Sequence, residues 1–170
     1  MKHFFLITII IFSITTVYAQ TPELLIVSGI EKKNNGDIKG AIVEFSKAIK
    51  ISPKANYYYF RADAKNRIND YYGALADSNK AIGLSPSTSV FYFIRGYSKH
   101  MLKKYNDAIL DYTKSISLCK NEDENAENYL MRGLSKINIS QKNEACLDFS
   151  KAGELGNEKS YNLIEKYCSN

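Results

Sequence analysis

Few residues of this 170-residue sequence have the types and spacing that catalysis or metal binding requires. His100 stands alone, without a base–nucleophile pair around it, and His3 belongs to the apolar N-terminal segment. Cys119, Cys146 and Cys168 are spaced too widely for a zinc finger or ribbon. The sequence also lacks a glycine-rich loop that could cradle a phosphate. We therefore expect no enzymatic activity, no metal and no cofactor.

Charged residues recur at regular intervals, and this pattern could serve anion binding or ion pairing. Arg61, Arg95 and Arg132 follow one another at 34 and 37 residues. Acids recur with them, and these are Glu44, Asp77, Asp111 and Asp148. The arginines could form a row of anion-binding groups. Alternatively, each could pair with the acid of the preceding unit, which would explain why Ser28 replaces arginine in the first.

We favour the pairing, because unpaired charges near a helix interface are costly. Lysines also recur, and we interpret them as solvated groups with their stems lying along the surface. These lysines are Lys32, Lys65, Lys99 and Lys136.

The elements that would carry these charges are repeats, and several columns of residues show them. Small residues stand at Gly29, Ala62, Gly96 and Gly133, then at Ala41, Ala74, Ala108 and Ala145, and then at Ala48, Ala81, Ser115 and Ala152. Large residues stand at Leu25, Tyr58, Tyr92 and Tyr129, and at Phe45, Tyr112 and Phe149, with Ser78 as the exception. The small residues let two amphipathic helices approach closely, and a ring fills the space beside them. Hairpins of this kind must stack to bury their apolar faces.

This pattern resembles the tetratricopeptide repeat, and specifically an exported bacterial member of that family. The resemblance implies an all-α fold, a right-handed α-solenoid of four helix–turn–helix hairpins with a C-terminal capping helix. We place the repeats within residues 20–157, at about 22–54, 55–88, 89–125 and 126–157. The capping helix is expected at 158–170.

The N-terminus has the features of a secretory signal peptide. A positive start at Lys2 precedes an apolar run, and Val17-Tyr18-Ala19 offers small residues for cleavage. We expect residues 1–19 to be removed, leaving an exported, soluble protein in the periplasm or outside the cell. An uncleaved membrane anchor is the alternative, but the run is short for a span. No cysteine follows the cleavage site, so a lipoprotein is not expected.

In the family that the repeats resemble, the first helix of each hairpin lines the concave side. The matching positions here carry apolar and aromatic residues, which are typical anchors of a protein interface. Those we predict to bind a ligand are Ile30, Tyr59, Arg67, Phe93, Tyr97, His100, Leu130 and Leu134. The alternative is that tight curvature or the cap covers them. The positions at which some relatives clamp a chaperone's C-terminal carboxylate hold Ile26, Ile30, Phe60, Val90 and Ile94, so that clamp is absent.

Two cysteines have positions that suit a structural disulfide. Cys146 lies in the last hairpin, and Cys168 lies near the end of the cap, which must fold back on that hairpin. Export would favour their oxidation. The alternative is that Cys119, Cys146 and Cys168 are buried thiols that behave as small hydrophobic residues.

The sequence as a whole predicts a repeat scaffold that binds a protein or peptide in its concave groove. The alternative is a structural component of an envelope or secretion assembly that has no groove ligand. The net charge of +5 is modest and comes with interleaved acids, so we expect no nucleic-acid partner. We expect no membrane span in the mature chain.

Overall fold

The computed structural model describes residues 21–121 and 125–169, and this part of the chain folds into helices without a β-strand. The predicted all-α repeat fold is confirmed. The helices are α1 (Pro22–Asn34), α2 (Ile38–Ile51), α3 (Ala55–Arg67), α4 (Tyr71–Leu84), α5 (Ser89–Met101), α6 (Tyr105–Leu118), α7 (Ala126–Ile137), α8 (Lys142–Glu154) and α9 (Lys159–Cys168). The predicted signal peptide at 1–19 lies outside the described residues.

The helices stack in chain order as four hairpins, and α9 packs on α8. Each second helix also packs on the first helix of the next hairpin. In addition, α1 contacts α3, α3 contacts α5 and α5 contacts α7. These four first helices, the inner helices, therefore form one continuous face, and we call α2, α4, α6 and α8 the outer helices. Within the described residues, no helix is long and apolar enough to cross a membrane.

The hairpin turns are built by short-range hydrogen bonds. Asp37 caps α2 by accepting the Gly40 N–H at 2.8 Å, and Asp70 caps α4 by accepting the Gly73 N–H at 2.9 Å. The chain turns through the left-handed region once per hairpin. The residues with positive φ are Gly36, Asn69, Lys103 and Ser140, followed by Gly156 before α9.

The small and aromatic columns pack against each other as the sequence predicts. A Cβ atom on Gly133 would lie 2.6 Å from the Phe149 ring, and one on Gly96 would lie 2.9 Å from the Tyr112 ring. The second hairpin has Ser78 in the ring column, and its matching small residue is Ala62. A methyl group is thus tolerated where the ring is missing.

The arginines pair inside their own hairpins, so our prediction of pairing with the preceding hairpin is wrong. Arg61 donates to Asp77 at 2.8 and 2.6 Å, and Arg132 donates to Asp148 at 2.9 and 2.6 Å. The remaining guanidinium nitrogen of Arg61 does reach the preceding hairpin, where it donates to Ser46 at 3.0 Å.

The tyrosine column lies over these arginines. The rings of Tyr58, Tyr92 and Tyr129 are 5.8, 5.4 and 5.2 Å from the guanidinium carbons of their hairpins' arginines. These rings are half-buried and stack on cations, so they do more than fill space between helices.

The lysine column is also paired, which corrects the interpretation of these residues as solvated. Lys65, Lys99 and Lys136 each lie 2.7 Å from the aspartate of their hairpin, and their side chains are 16–19% exposed. Lys32 of the first hairpin lies 2.9 Å from Glu44 but is 39% exposed. Each carboxylate of hairpins two to four therefore holds two cations.

The last helix, α9, covers the open end of the fourth hairpin. Leu163, Ile164 and Tyr167 pack on a cluster that contains Leu130 and Phe149. The structure joins Cys146 to Cys168 in a disulfide, with the two Cα atoms 5.8 Å apart.

Candidate functional site

The inner helices α3, α5 and α7 enclose a depression of about 350 Å³, which we call the inner concavity. It is lined by Asp63, Asn66, Arg67, Phe93, Ile94, Tyr97 and Glu127. Three of the residues predicted to bind a ligand, Arg67, Phe93 and Tyr97, thus come together here. The lining combines aromatic and aliphatic surface with groups of both charges, as ligand-binding clefts commonly do.

Phe93 and Tyr97 form the aromatic wall of the inner concavity. Both are half-buried and pack on a cluster that contains Tyr112 and Met131. The Phe93 and Tyr112 ring centroids are 5.8 Å apart. Burial raises the pKa of the Tyr97 hydroxyl. The two rings therefore present one side to the concavity while the other side contributes to the core.

The charges around the inner concavity differ in how they are paired. Asp63 accepts a hydrogen bond from Lys33 at 2.7 Å, and the Arg67 Nε lies 3.7 Å from the same carboxylate. Arg67 is exposed, with 56% of its side chain accessible. Glu127 is exposed and accepts a hydrogen bond from the Asn157 amide at 3.0 Å. No group of described acids, histidines and cysteines is arranged to hold a metal ion.

Polar contacts join successive inner helices along one line. Lys33 of α1 reaches Asp63 of α3, and the Ser98 hydroxyl of α5 donates to the Asn66 amide oxygen of α3 at 2.9 Å. His100 Nδ1 of α5 lies 2.8 Å from the Ser135 hydroxyl of α7. Burial lowers the pKa of His100. The sequence predicts that His100 contacts a ligand. In the structure, its contact with Ser135 joins the third hairpin to the fourth.

The other predicted residues do not line the inner concavity. Ile30 packs against the core of the first hairpin. Tyr59 is half-buried, with its ring centroid 5.4 Å from that of Phe60 and 5.8 Å from that of Phe91. Leu130 is only 4% exposed and belongs to the cluster that α9 covers. Leu134 is half-buried and packs against the same cluster. The cap therefore takes this part of the inner face, as the alternative interpretation of the sequence allowed.

A second, smaller depression of about 190 Å³ lies between the third and fourth hairpins. We call it the Asn128 pocket, and it is lined by Ser89, Val90, Phe93, Ser115, Cys119, Glu127 and Asn128. Phe93 and Glu127 line both depressions, so the two are neighbours. We did not predict Glu127 or Asn128 as binding residues. The sequence did mark Asn128 as unusual, because it stands at the position that Tyr57 and Phe91 occupy in the preceding units.

The repeat stack is similar to those of known tetratricopeptide-repeat structures. The chain is similar to MamA in its crystal structure, at 25% identity and a TM-score of 0.72, covering 82% of this chain and 81% of that one. It is similar to a thermophilic TPR protein of Thermus thermophilus, at 15% identity and a TM-score of 0.70, covering 81% and 75%. A third similar structure is the first TPR of Spaghetti (RPAP3) bound to the HSP90 peptide SRMEEVD, at 26% identity and a TM-score of 0.63, covering 69% and 93%.

These similarities confirm the tetratricopeptide-repeat fold that the sequence resembles, while the exported bacterial origin stays a prediction. No protein-family model and no curated protein matches the chain.

Proposed function

We propose that the protein is a non-enzymatic scaffold that works outside the cytoplasm and binds a peptide segment of a partner protein in the inner concavity. The observation that carries the proposal is the meeting of Arg67, Phe93 and Tyr97 around one depression on three successive inner helices. Aromatic residues and arginine are the commonest energetic anchors of protein interfaces. In a similar structure, the first TPR of RPAP3 is bound to a peptide. The location outside the cytoplasm rests on the sequence of residues 1–19.

A random library of 12-residue peptides, selected on the purified protein, tests this proposal. The selected peptides are then measured by fluorescence anisotropy on variants of the concavity. Arg67→Ala is the principal variant, because Arg67 is exposed and its loss should leave folding intact. We expect Arg67→Ala to weaken peptide binding at least about tenfold. Phe93→Ala should reduce the binding free energy by about 2 kcal/mol or more.

Phe93→Ala needs a stability measurement beside it, because the ring also packs on Tyr112. Lys114→Ala, a change on the exposed side of α6, is the matched control and should bind every selected peptide normally. If all selected peptides bind the Arg67→Ala and Phe93→Ala variants as they bind the parent protein, the inner concavity is not the ligand site.

The alternative function, a structural component that acts through its outer surface, also has an observation in its favour. Val43, Leu110 and Leu147 occupy one position of three outer helices and are 51%, 68% and 72% exposed. A lysine stands four residues after each of them. The equivalent residue of α4 is Ala76, and a lysine also stands four residues after it. The double variant Leu110→Ser, Leu147→Ser separates the two functions. A structural component would lose its assembly in the host, while peptide binding in the concavity would persist.

A further inference from the structure

The Asn128 pocket exists because the fourth hairpin breaks a pattern of the inner helices. At the equivalent position of α3 and α5, Tyr57 and Phe91 are 6% and 1% exposed, and each ring fills the space against the preceding hairpin. Asn128 is nearly as buried, at 6%, but its side chain is smaller and polar. The volume that a ring occupies in the second and third hairpins is thus open in the fourth.

Asn128 brings an unsatisfied acceptor to this pocket. Its amide nitrogen donates to Asn125 Oδ1 at 3.3 Å, while its buried Oδ1 has no hydrogen-bond partner within the described structure. A buried acceptor left unpaired is unfavourable, because it has given up its hydrogen bonds to water. Asn128 lines the pocket, so a ligand there that displaces the atoms covering Oδ1 and donates a hydrogen bond would satisfy this acceptor.

The other walls of the Asn128 pocket also present acceptors and negative charge. Glu127 supplies a carboxylate, and Ser115 gives its hydroxyl proton to the Ser89 carbonyl at 3.0 Å, which leaves its own oxygen able to accept. The described lining residues include no lysine, arginine or histidine. The Phe93 ring adds a π face, which attracts cations.

The first hairpin shows how the chain itself satisfies a carboxylate at this position. Glu23 occupies in α1 the place that Glu127 occupies in α7. Lys54 donates to Glu23 at 2.8 Å, and the Tyr57 hydroxyl donates to the same oxygen at 2.9 Å. Glu127 instead accepts from the neutral Asn157 amide, and within the described residues it forms no ion pair with a lysine or arginine. The exposed Glu127 carboxylate is therefore open to a cation that the described chain does not supply.

We propose that the Asn128 pocket binds the ammonium or guanidinium group of a Lys or Arg side chain, which belongs to the peptide held in the adjacent inner concavity. Glu127 balances the charge, Asn128 Oδ1 accepts one N–H and Phe93 covers the cation. The inference rests on the proposed function, and it assigns the chemical class of residue that the ligand must carry.

NMR titration of the ¹⁵N-labelled protein tests the pocket without a known ligand. The probe is Nα-acetyl-lysine amide, and the control is Nα-acetyl-norleucine amide, which has a similar chain without the ammonium group. We expect the lysine derivative to shift the amide signals of Phe93, Glu127 and Asn128, and the norleucine derivative to leave them in place. Equal shifts with both derivatives, or shifts confined to other helices, would overturn the inference.

Two variants define the residues responsible. Glu127→Gln can still accept from Asn157 but loses the charge, and we expect the lysine derivative to bind it about tenfold more weakly. Asn128→Phe restores the ring of the second and third hairpins and should abolish binding while the protein stays folded. Glu165→Gln, an exposed acid on α9, is the matched control and should bind normally. Unchanged binding by both pocket variants would overturn the inference.

The peptide library separates this inference from the proposed function. Selected peptides should be enriched in Lys or Arg at one position, and the enrichment should disappear on Asn128→Phe. Peptides that need Arg67 but show no such enrichment would leave the proposed function standing and overturn the cation pocket. If no peptide is selected while the lysine derivative binds as stated, the cation site is supported and the proposed function is wrong.

Discussion

Arg95 and Asp111 are joined by two parallel hydrogen bonds of 2.8 and 2.6 Å between the inner and outer helices of the third hairpin. Lys99 reaches the same carboxylate at 2.7 Å. The third nitrogen of Arg95 donates to Asn79, on the outer helix of the preceding hairpin, at 2.9 Å. One guanidinium group therefore fixes the geometry within a hairpin and its position against the previous one.

We expect the substitution Asp111→Asn to destabilise the protein by about 2–4 kcal/mol, because it leaves Arg95 and Lys99 without a counter-charge in a mostly buried site. Their side chains are only 20% and 19% exposed. Urea denaturation followed by circular dichroism measures the loss. Glu44→Gln in the first hairpin is the matched control.

Glu44→Gln should lower the free energy of unfolding by no more than about 1 kcal/mol, because the partners of Glu44 are largely solvated. Lys32 and Lys47 are 39% and 51% exposed. Equal losses for the two substitutions would show that burial does not set the strength of these pairs.

The sequence predicted which charges pair but could not predict the direction of the pairing. Arg61 is 17 residues after Glu44 and 16 residues before Asp77. Spacing alone therefore places both acids about equally near, and the packing of the outer helices decides between them. Our inference from Ser28 chose the wrong neighbour.

The candidate site was predictable where it depends on helix periodicity and was missed where it depends on tertiary packing. The shared face of Phe93 and Tyr97 follows from their four-residue spacing. The sequence predicted that α9 folds back on the fourth hairpin, but which inner residues it covers, Leu130 among them, depends on tertiary packing. The Asn128 pocket arises from a missing ring, and the space that it leaves becomes visible only in three dimensions.

The glycine of each hairpin should tolerate a methyl group only where the facing ring is absent. We expect Gly133→Ala to destabilise the protein by about 1–3 kcal/mol, because the new Cβ would overlap the Phe149 ring. The second hairpin already combines Ala62 with Ser78, so the double variant Gly133→Ala, Phe149→Ser tests the pairing. In thermal unfolding, the loss of stability in the double variant should be smaller than the sum of the losses in the two single variants. Strict additivity would contradict this explanation.

His100 should make the stability of the protein depend on pH. Burial lowers its pKa below the ordinary value of 6.5, so the unfolded chain binds the proton more readily than the folded chain. The contribution of His100 to stability is therefore present above the unfolded pKa and is lost as the pH falls through about 6.5 toward the folded pKa. Urea denaturation of the parent protein and of His100→Gln, at pH values from about 8 to about 5, measures the difference. A constant difference across this range would contradict the prediction.

Export predicts a specific mature N-terminus. If residues 1–19 are a signal peptide, mass spectrometry of the protein from its host should find a chain that begins at Gln20 or close to it. Substitution of Ala19 by a bulky residue such as Phe should slow the cleavage and leave a longer chain in the membrane fraction. An intact Met1 in a protein from the cytoplasmic fraction would contradict the prediction and weaken the case for oxidised cysteines.

The disulfide between Cys146 and Cys168 should hold α9 in place over the fourth hairpin. Non-reducing peptide mapping of the native protein should recover the two cysteines in one linked species. The bond joins positions 22 residues apart, and its reduction should cost about 3 kcal/mol. Because repeats contact their neighbours, hydrogen exchange after reduction should rise in α9 and around Leu130 and stay unchanged in the first two hairpins. Cys119→Ser, which leaves the bond intact, is the control. Thiol labelling of both Cys146 and Cys168 in the native protein would show that packing alone holds the cap.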